Sequence, residues 1–444
     1  MPESVSSPVA ASPEAVCSSA APTSIPALSR AEVRELLFDL PWPELQALAH
    51  QCRLRHKGRH VHVRGLLEFS NVCRRNCRYC GLRHENRQLS RYSLSAAELL
   101  RAASQAVAAG VDTLVLQSGE TARNPLWLAQ VVRGLKERFG LPVTLSVGEQ
   151  PREWYALWRE AGADRFLLKH ETADARLYAA LHPGYRLADR LRALSWLAEL
   201  GYEVGSGFMV GVPGQRPESL VDDILLVRDM RVAMCGAGPF VPQADTPLGR
   251  QPRGSTELCL RVMAVLRLVL PCANLPATTA LASLRPEDGQ RQGLAAGGNV
   301  LMPSFTPAAR RAAYRIYDHK AVVDMDAVRR AIAGAGLEHA LPEAQAPSRA
   351  PHPPEPQQPA QNPLPGSWGC TDGQQNPGNA LRCNQGGTAE WCHPRCGKPS
   401  CPQRSPAHSG TPPWPGPAER VHRGRCGHRA SPRPRYNPSQ TCGR

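Results

Sequence analysis

The sequence predicts an α/β protein whose body is a (β/α)8 barrel of the TIM type, and three observations carry that expectation. From about Val61 to Tyr317, short apolar runs alternate with longer amphipathic stretches, the pattern of parallel βα units. Eight such units fit into roughly 257 residues, the usual size of an eight-stranded closed barrel. The apolar runs also end in polar residues, as strands do when their C-terminal ends share one mouth.

The elements follow in order. Ahead of the barrel, RAEVRELLFDLPWPELQALAHQCRLRHKG reads as two short helices broken at PWP and packed on the outside. The strands are VHVRGLLEFS, TLVLQSGE, VTLSVGE, RFLLKHE, YEVGSGFMVGV, MCGAGPFVP, NLPATTAL and GNVLMPS. Between the first two strands, SAAELLRAASQAVAAG opens with Ser95 and Glu98 at capping-box spacing and closes on Gly110. LADRLRALSWLAELG closes on Gly201, and MDAVRRAIAGAGLEHAL reads as a final helix. The chain therefore divides into a disordered leader (1–28), N-terminal helices (29–60), the barrel with its final helix (61–340) and a disordered Pro/Gly/Arg-rich tail (341–444).

With 444 residues, 42% of them hydrophobic, the chain can bury a large core. Its net charge of +15 is uneven: residues 345–444 hold twelve Lys/Arg against four Asp/Glu, about half of the excess, so the charge describes mainly the tail. That tail also holds 20 of the 43 prolines and almost no aliphatic periodicity, which leaves too little apolar surface to offset the entropy of ordering. It lacks clustered Lys/Arg runs and interleaved aromatics, so it reads as a solvated appendage and no nucleic-acid partner is expected. Fifteen cysteines behind an N-terminus without a basic and apolar signal pattern imply a reducing, cytoplasmic setting. No run reaches the roughly 18 apolar residues of a membrane span.

The polar strand ends are the first candidate site: Gln117, Ser118, Gly119 and Glu120 on the second strand, Ser146 and Glu149 on the third, Lys169, His170 and Glu171 on the fourth, Thr278 and Thr279 on the seventh. For any one of them, the start of a solvated loop is an equal reading. The second candidate is NVCRRNCRYCGLR, the loop after the first strand, with Cys73, Cys77 and Cys80 at spacings of three and two. Three thiolates on a short loop can hold three irons of a cubane and leave the fourth iron open. A Cys3His zinc site completed by His84 is the competing reading, but such knots stabilise small domains that lack a core.

The C-x3-C-x2-C loop resembles the signature of the radical SAM superfamily, and LQSGE at the end of the second strand resembles that superfamily's Gly-Gly-Glu segment. Longer stretches, among them LEFSNVCRRNCRYCGLR, AGADRFLLKHETAD, LHPGYR, LGYEVGSGFMVGVPGQ, GPFVPQADTPLG and NLPATTAL, are similar to the [FeFe]-hydrogenase maturase HydE subgroup over roughly residues 30 to 320. Biotin synthase and methylornithine synthase are more distant relatives of the same architecture. The resemblance implies one [4Fe–4S] cluster on Cys73, Cys77 and Cys80 and S-adenosylmethionine (SAM) chelating its open iron. Tyr79, Ser118, Gly119, Glu120, Thr144, Ser146, Glu171 and Arg190 would surround SAM, and no catalytic residue is assigned beyond the cluster and SAM. Lys169, Met209, Met234, Thr278, Thr279 and Tyr314, with Tyr317, would line the substrate space, although plain core packing explains the methionines and tyrosines equally well.

The implied activity is reductive SAM cleavage in maturation of the hydrogenase H-cluster, a deoxyadenosyl radical acting on a small iron–cysteine species to help assemble the bridging dithiolate and diiron subcluster. The implied partners are the tyrosine-lyase maturase, the GTPase scaffold and an electron donor. Two rival readings stand beside it: a related radical SAM enzyme for a thioether or amino acid, and a non-catalytic iron–sulfur or zinc protein. The chain departs from the family at Lys169, where arginine is usual and a point charge replaces a planar fork. It also has Gly298 where alanine is common, expected to be a minor packing change. No cysteine lies between Cys272 and Cys370 for the second cluster of some members, and the tail cysteines Cys383, Cys392, Cys396 and Cys401 are assigned no metal.

Overall fold

A computed structural model describes residues 28–121 and 124–340; the leader, the tail and the tail cysteines lie outside them. Helices α1 (Arg30–Phe38) and α2 (Trp42–Lys57) lead into β1 (His60–Ser70). There follow α3 (Ala96–Ala108), β2 (Thr113–Ser118), α4 (Pro125–Phe139), β3 (Val143–Ser146), α5 (Arg152–Glu160) and β4 (Arg165–Leu167). Two helices, α6 (Ala175–Leu181) and α7 (Leu187–Glu199), precede β5 (Glu203–Val210), and α8 (Pro217–Asp229) precedes β6 (Met234–Pro239). Then come α9 (Thr256–Val269), α10 (Thr279–Leu284), α11 (Gly289–Ala295) and β7 (Val300–Leu301). The described chain closes with α12 (Ala308–Arg311), α13 (Met325–Gly334) and β8 (Glu338–His339).

The strands are parallel and ordered β6-β5-β4-β3-β2-β1-β7. Between β6 and β7 the ring is completed by a short extended segment, through the bridges Met234↔Asn274 and Pro276↔Val300. The expected barrel is thus present, with one correction. NLPATTAL is not a full strand: Pro276 lacks an N–H for a continuous ladder, and from Thr279 the chain turns into α10, with Thr278 at its N-cap. A second correction concerns the end of the barrel domain. After α13, Gly336 takes a left-handed turn, and Glu338–His339 pairs with His60 and Val61 at the start of β1 instead of continuing the helix.

Local chemistry sets the helix boundaries. Ser29 with Glu32, and Ser95 with Glu98, form complete capping boxes. The N-terminal helices pack against α8 and α9, where Arg261 donates to the otherwise orphaned carbonyls of Leu37 and Leu40, both at 2.6 Å, at the end of α1. The core lies mainly between the barrel and its helices; a β-carbon on Gly65 would meet Ala106 and Val111 there, so strand alternation turns Arg64, Leu66 and Glu68 inward. Glycines at alternate positions, 205 and 207 on β5, 236 and 238 on β6, put no side chain on that part of the inner wall. At Gly298 the expected minor change is larger than expected: a β-carbon would stand 2.7 Å from the Gly293 carbonyl oxygen, so alanine there requires the backbone to shift.

Candidate cofactor site at the barrel mouth

The loop leaving β1 carries Cys73, Cys77 and Cys80, all partly buried. Burial raises each thiol, Cys77 to about 12, and the sulfurs raise one another further, Cys73 acting on Cys77 and both acting on Cys80. Metal binding at these thiols must displace their protons. Among the described residues no three His, Cys, Asp or Glu side chains converge on a point where a single ion could sit. A zinc knot needs that convergence, whereas a cubane spreads its thiolates over separate irons. The donor set fits a cluster in this respect: cysteine sulfurs alone, on one loop. Gly119 holds this loop close, because a β-carbon there would stand 2.4 Å from the Val72 carbonyl oxygen and 2.8 Å from Cys73 Cβ.

Charged groups tie the loop to the strand ends. Arg74 N donates to the Glu120 carbonyl at 2.7 Å, and Arg74 Nε reaches Glu120 Oε1 at 3.0 Å. Arg75, almost fully buried, joins Glu120 Oε1 at 2.5 Å to Glu149 Oε2 at 2.8 Å, with its guanidinium 3.3 Å from the Tyr185 ring centre. Arg190 on α7 pairs through Nε with the other oxygen of Glu149 and through Nη1 with the Lys169 carbonyl. Burial pushes the Glu149 carboxyl up, but Arg190 and Arg75 outweigh it and hold the group below its ordinary range. These pairs knit the ends of β2, β3 and β4 into one buried network.

Glu171 stands just beyond β4 with φ of 66°, a left-handed conformation unusual for a side-chain-bearing residue and one that concentrates at functional sites. Burial raises its carboxyl, while Lys169 at 3.0 Å and, more distantly, His182 and Arg190 bring it below the usual value. Tyr79 hydrogen-bonds His182 at 3.0 Å, and burial holds that imidazole neutral, near 4. His170 Nδ1 sits 3.0 Å from Ser206 Oγ, which itself donates to the Leu168 carbonyl, so Nδ1 carries the proton.

The other expected site residues divide. Thr144 faces inward on β3 with a buried hydroxyl lacking any partner, and Thr278 Oγ1 is likewise unpartnered. Ser146 is half-buried at the end of β3. Ser118 donates to the Gly119 carbonyl at 2.8 Å and borders a narrow gap lined by Phe69, Trp127 and Trp158, so only its backbone is turned to the mouth. Met209 joins a small apolar cluster with Leu177, Leu181 and Phe240, against which Tyr79 packs. Met234 begins β6 and receives Arg64 Nη1 on its sulfur at 3.1 Å, below the mouth. Tyr314 and Tyr317 line a cavity of about 600 Å³, while Thr279 lies in the first turn of α10.

Of the groups that had no expectation attached, two are the most deeply engaged. Arg75 is the hub of the carboxylate network, and its position inside the cysteine motif was the available signal. Glu68 lies wholly buried on β1, held by Thr306 Oγ1 at 3.0 Å, Ser304 and Lys320. Its partners come from residues some 240 positions later, which periodicity cannot connect.

The profile of the Radical SAM superfamily matches residues 67–227. The chain is 46% identical over 279 residues to the [FeFe] hydrogenase maturase subunit HydE of Thermotoga maritima, covering 62% of this chain and 79% of that protein. It is 29% identical over 322 residues to a 3-methylornithine synthase of Methanosarcina acetivorans, covering 70% and 91% respectively. A solved methylornithine synthase superposes with a TM-score of 0.64 at 28% identity, covering 70% of this chain and 94% of the other. The maturase HydG superposes at 0.63 with 19% identity, covering 72% and 74%, a likeness of fold alone.

Proposed function

Because the chain belongs to the HydE family of radical SAM enzymes and so cleaves S-adenosylmethionine, we propose that it acts in [FeFe]-hydrogenase maturation. Its task in this reading is to help assemble the bridging dithiolate and diiron subcluster of the H-cluster from a small iron–cysteine species. The observation that supports this most directly is the 46% identity to HydE, in a chain whose three-cysteine loop is tied to Glu120 and Glu149 through Arg74 and Arg75. The catalytic unit is proposed to be residues 29–340.

Cys73, Cys77 and Cys80 would hold a [4Fe–4S] cluster. With SAM bound, that pair would supply a 5′-deoxyadenosyl radical. The residues around it bind and orient. Gly119 and Glu120 present strand-edge backbone and an acid to the methionyl amine. Arg190 keeps one terminal amino group beyond its bonds to Glu149 and Lys169, which suits the methionyl carboxylate. Glu171, kept ionised, accepts from ribose hydroxyls or the amine; Thr144 and Ser146 offer hydroxyls, and Tyr79 borders the adenine. Lys169, Met209, Met234, Thr278, Thr279 and Tyr314 are proposed around the substrate, where the unpartnered Thr278 hydroxyl can donate to an anionic group. The partners are a tyrosine-lyase maturase, a GTPase scaffold and an electron donor.

A second reading, an amino-acid substrate, is favoured by the superposition on methylornithine synthase. Anaerobic reconstitution followed by dithionite and SAM should yield 5′-deoxyadenosine and methionine. Deuterium carried into 5′-deoxyadenosine from an iron–cysteine species supports the first reading, and from a free amino acid the second. A cell-free maturation lacking only this chain should regain hydrogenase activity when it is added; no recovery would sink the maturase role.

A further inference from the structure

Just beyond Glu171 the chain leaves the barrel mouth toward α6, and what fastens it there comes from α8. Ala173 N donates to Asp223 Oδ1 at 2.5 Å, and Gln215 Nε2 donates to Asp223 Oδ2 at 3.3 Å. Gln215 in turn grips the end of β5: its Nε2 donates to the Met209 carbonyl at 2.8 Å, and its Oε1 accepts from Gly211 N at 2.6 Å. The circuit closes on Glu171 itself. Its N–H donates to the Gly207 carbonyl at 2.9 Å, and its carbonyl accepts from Met209 N at 3.1 Å. Asp223 is thus bonded to the segment after Glu171 directly, and to the strand beside Glu171 through Gln215.

The chemistry of this clip calls for an acid. Both oxygens of Asp223 accept from donors that cannot be reversed: Ala173 offers a backbone N–H, and turning the Gln215 amide over would set its NH2 against Gly211 N–H and its oxygen against the Met209 carbonyl. An asparagine has one acceptor oxygen, so its NH2 would oppose one of the two donors. Asp223 is wholly buried, and no lysine or arginine pairs with it among the described residues. A carboxyl in such a place is costly for the fold and adds no packing that an apolar side chain would not supply. The left-handed backbone of Glu171, with φ of 66°, is costly too, and persists only where its surroundings over-determine it.

We propose that Asp223 and Gln215 are positioning residues for SAM: their clip holds Glu171 in its left-handed conformation, so that the carboxylate is already aimed when the ligand arrives. The proposal rests on the reading that Glu171 meets SAM. Neither Asp223 nor Gln215 touches the ligand; each acts through the backbone on which Glu171 stands. The gain is preorganisation, because a contact group fixed in advance loses no freedom on binding.

The test uses the full chain, reconstituted anaerobically, with dithionite as reductant and 5′-deoxyadenosine formation as the readout at varied SAM. In D223N the KM for SAM should rise about tenfold, with kcat and iron content close to parental. Q215L, which leaves the Ala173 bond in place, should show part of that rise. D222N, on the same helix but exposed and paired with Arg30, should show none. E171Q should raise the KM by itself, and adding D223N to it should raise the KM no further, because both changes remove one contact. Should D223N lose its iron, E171Q with Q215L completes the same cycle. A parental KM in both D223N and Q215L would overturn the proposal, even with a lowered unfolding midpoint, since the clip would then serve stability alone. So would a rise that multiplies in full on E171Q. A parental KM in E171Q, or a parent chain that forms no 5′-deoxyadenosine, would instead remove the reading of the site beneath the proposal.

Discussion

His170 Nε2 lies 3.4 Å from Asp223 Oδ1, and neither side chain reaches solvent. The pair links the end of β4, one residue before Glu171, to α8, and Asp223 also accepts from Ala173 N at 2.5 Å and Gln215 at 3.3 Å. Burial pushes the imidazole down to about 3 and the carboxyl up to about 8, so both are neutral between those limits. On the other side of the ring Nδ1 meets Ser206, which donates to the Leu168 carbonyl, while Nε2 has no hydrogen-bond partner.

This pair predicts a pH signature. From about 6.5 to about 8 the unfolded chain has released the Asp223 proton that the folded chain keeps, so stability from this group is lost as pH rises. Below about 6.5 the unfolded His170 takes up a proton that the folded one refuses, so stability falls as pH drops toward 3; between 3.8 and 6.5 the two effects oppose. Asp223→Asn removes only the carboxyl's part. Its unfolding midpoint should vary less than the parent's between pH 6.5 and 8, and equal slopes would exclude Asp223 as the titrating group.

Arg75→Met should be strongly destabilising. It leaves Glu120 and Glu149 without their shared cation in a buried network, a change costing about 3 kcal/mol, the low end of such losses because Arg74 and Arg190 remain. Urea denaturation measures this directly. A loss under about 1 kcal/mol would mean that the bridge is not what holds the loop to the strand ends.

Thr278→Val separates substrate contact from packing. The hydroxyl has no partner to lose, so the change should be neutral or stabilising by about 1 kcal/mol, while substrate turnover falls. Parental turnover would show that Thr278 does not meet substrate.

Gly119→Ala drives a β-carbon into Val72 and Cys73. Overpacking of this kind costs about 1 to 3 kcal/mol, and here it should also lower the iron retained after reconstitution. Parental iron content and thermal midpoint together would contradict the close packing of the cysteine loop on β2.

Much of this site was legible along the chain. The cysteine spacing, the polar strand ends and the helix caps are local features, and apolar runs placed the strand starts to within a residue or two, His60 among them, while the runs at β3, β4 and β6 overran the strand ends by three or four residues. The shape of the seventh unit was not legible, because apolarity alone cannot tell a strand from a bridge followed by a helix; Pro276 and the turn at Thr278 decided it.

The sequence by itself determined the barrel, the thiol set and the acids at its mouth, because each depends on residue type and short-range spacing. Only the tertiary structure decided which charges meet: Arg75 with Glu120 and Glu149, Arg190 with Glu149, Glu68 with Lys320, and His170 with Asp223. It also decided which arginines remain in solvent. The physical reason is that an ion pair is a matter of distance and burial, and parallel strands bring together residues that lie tens to hundreds of positions apart.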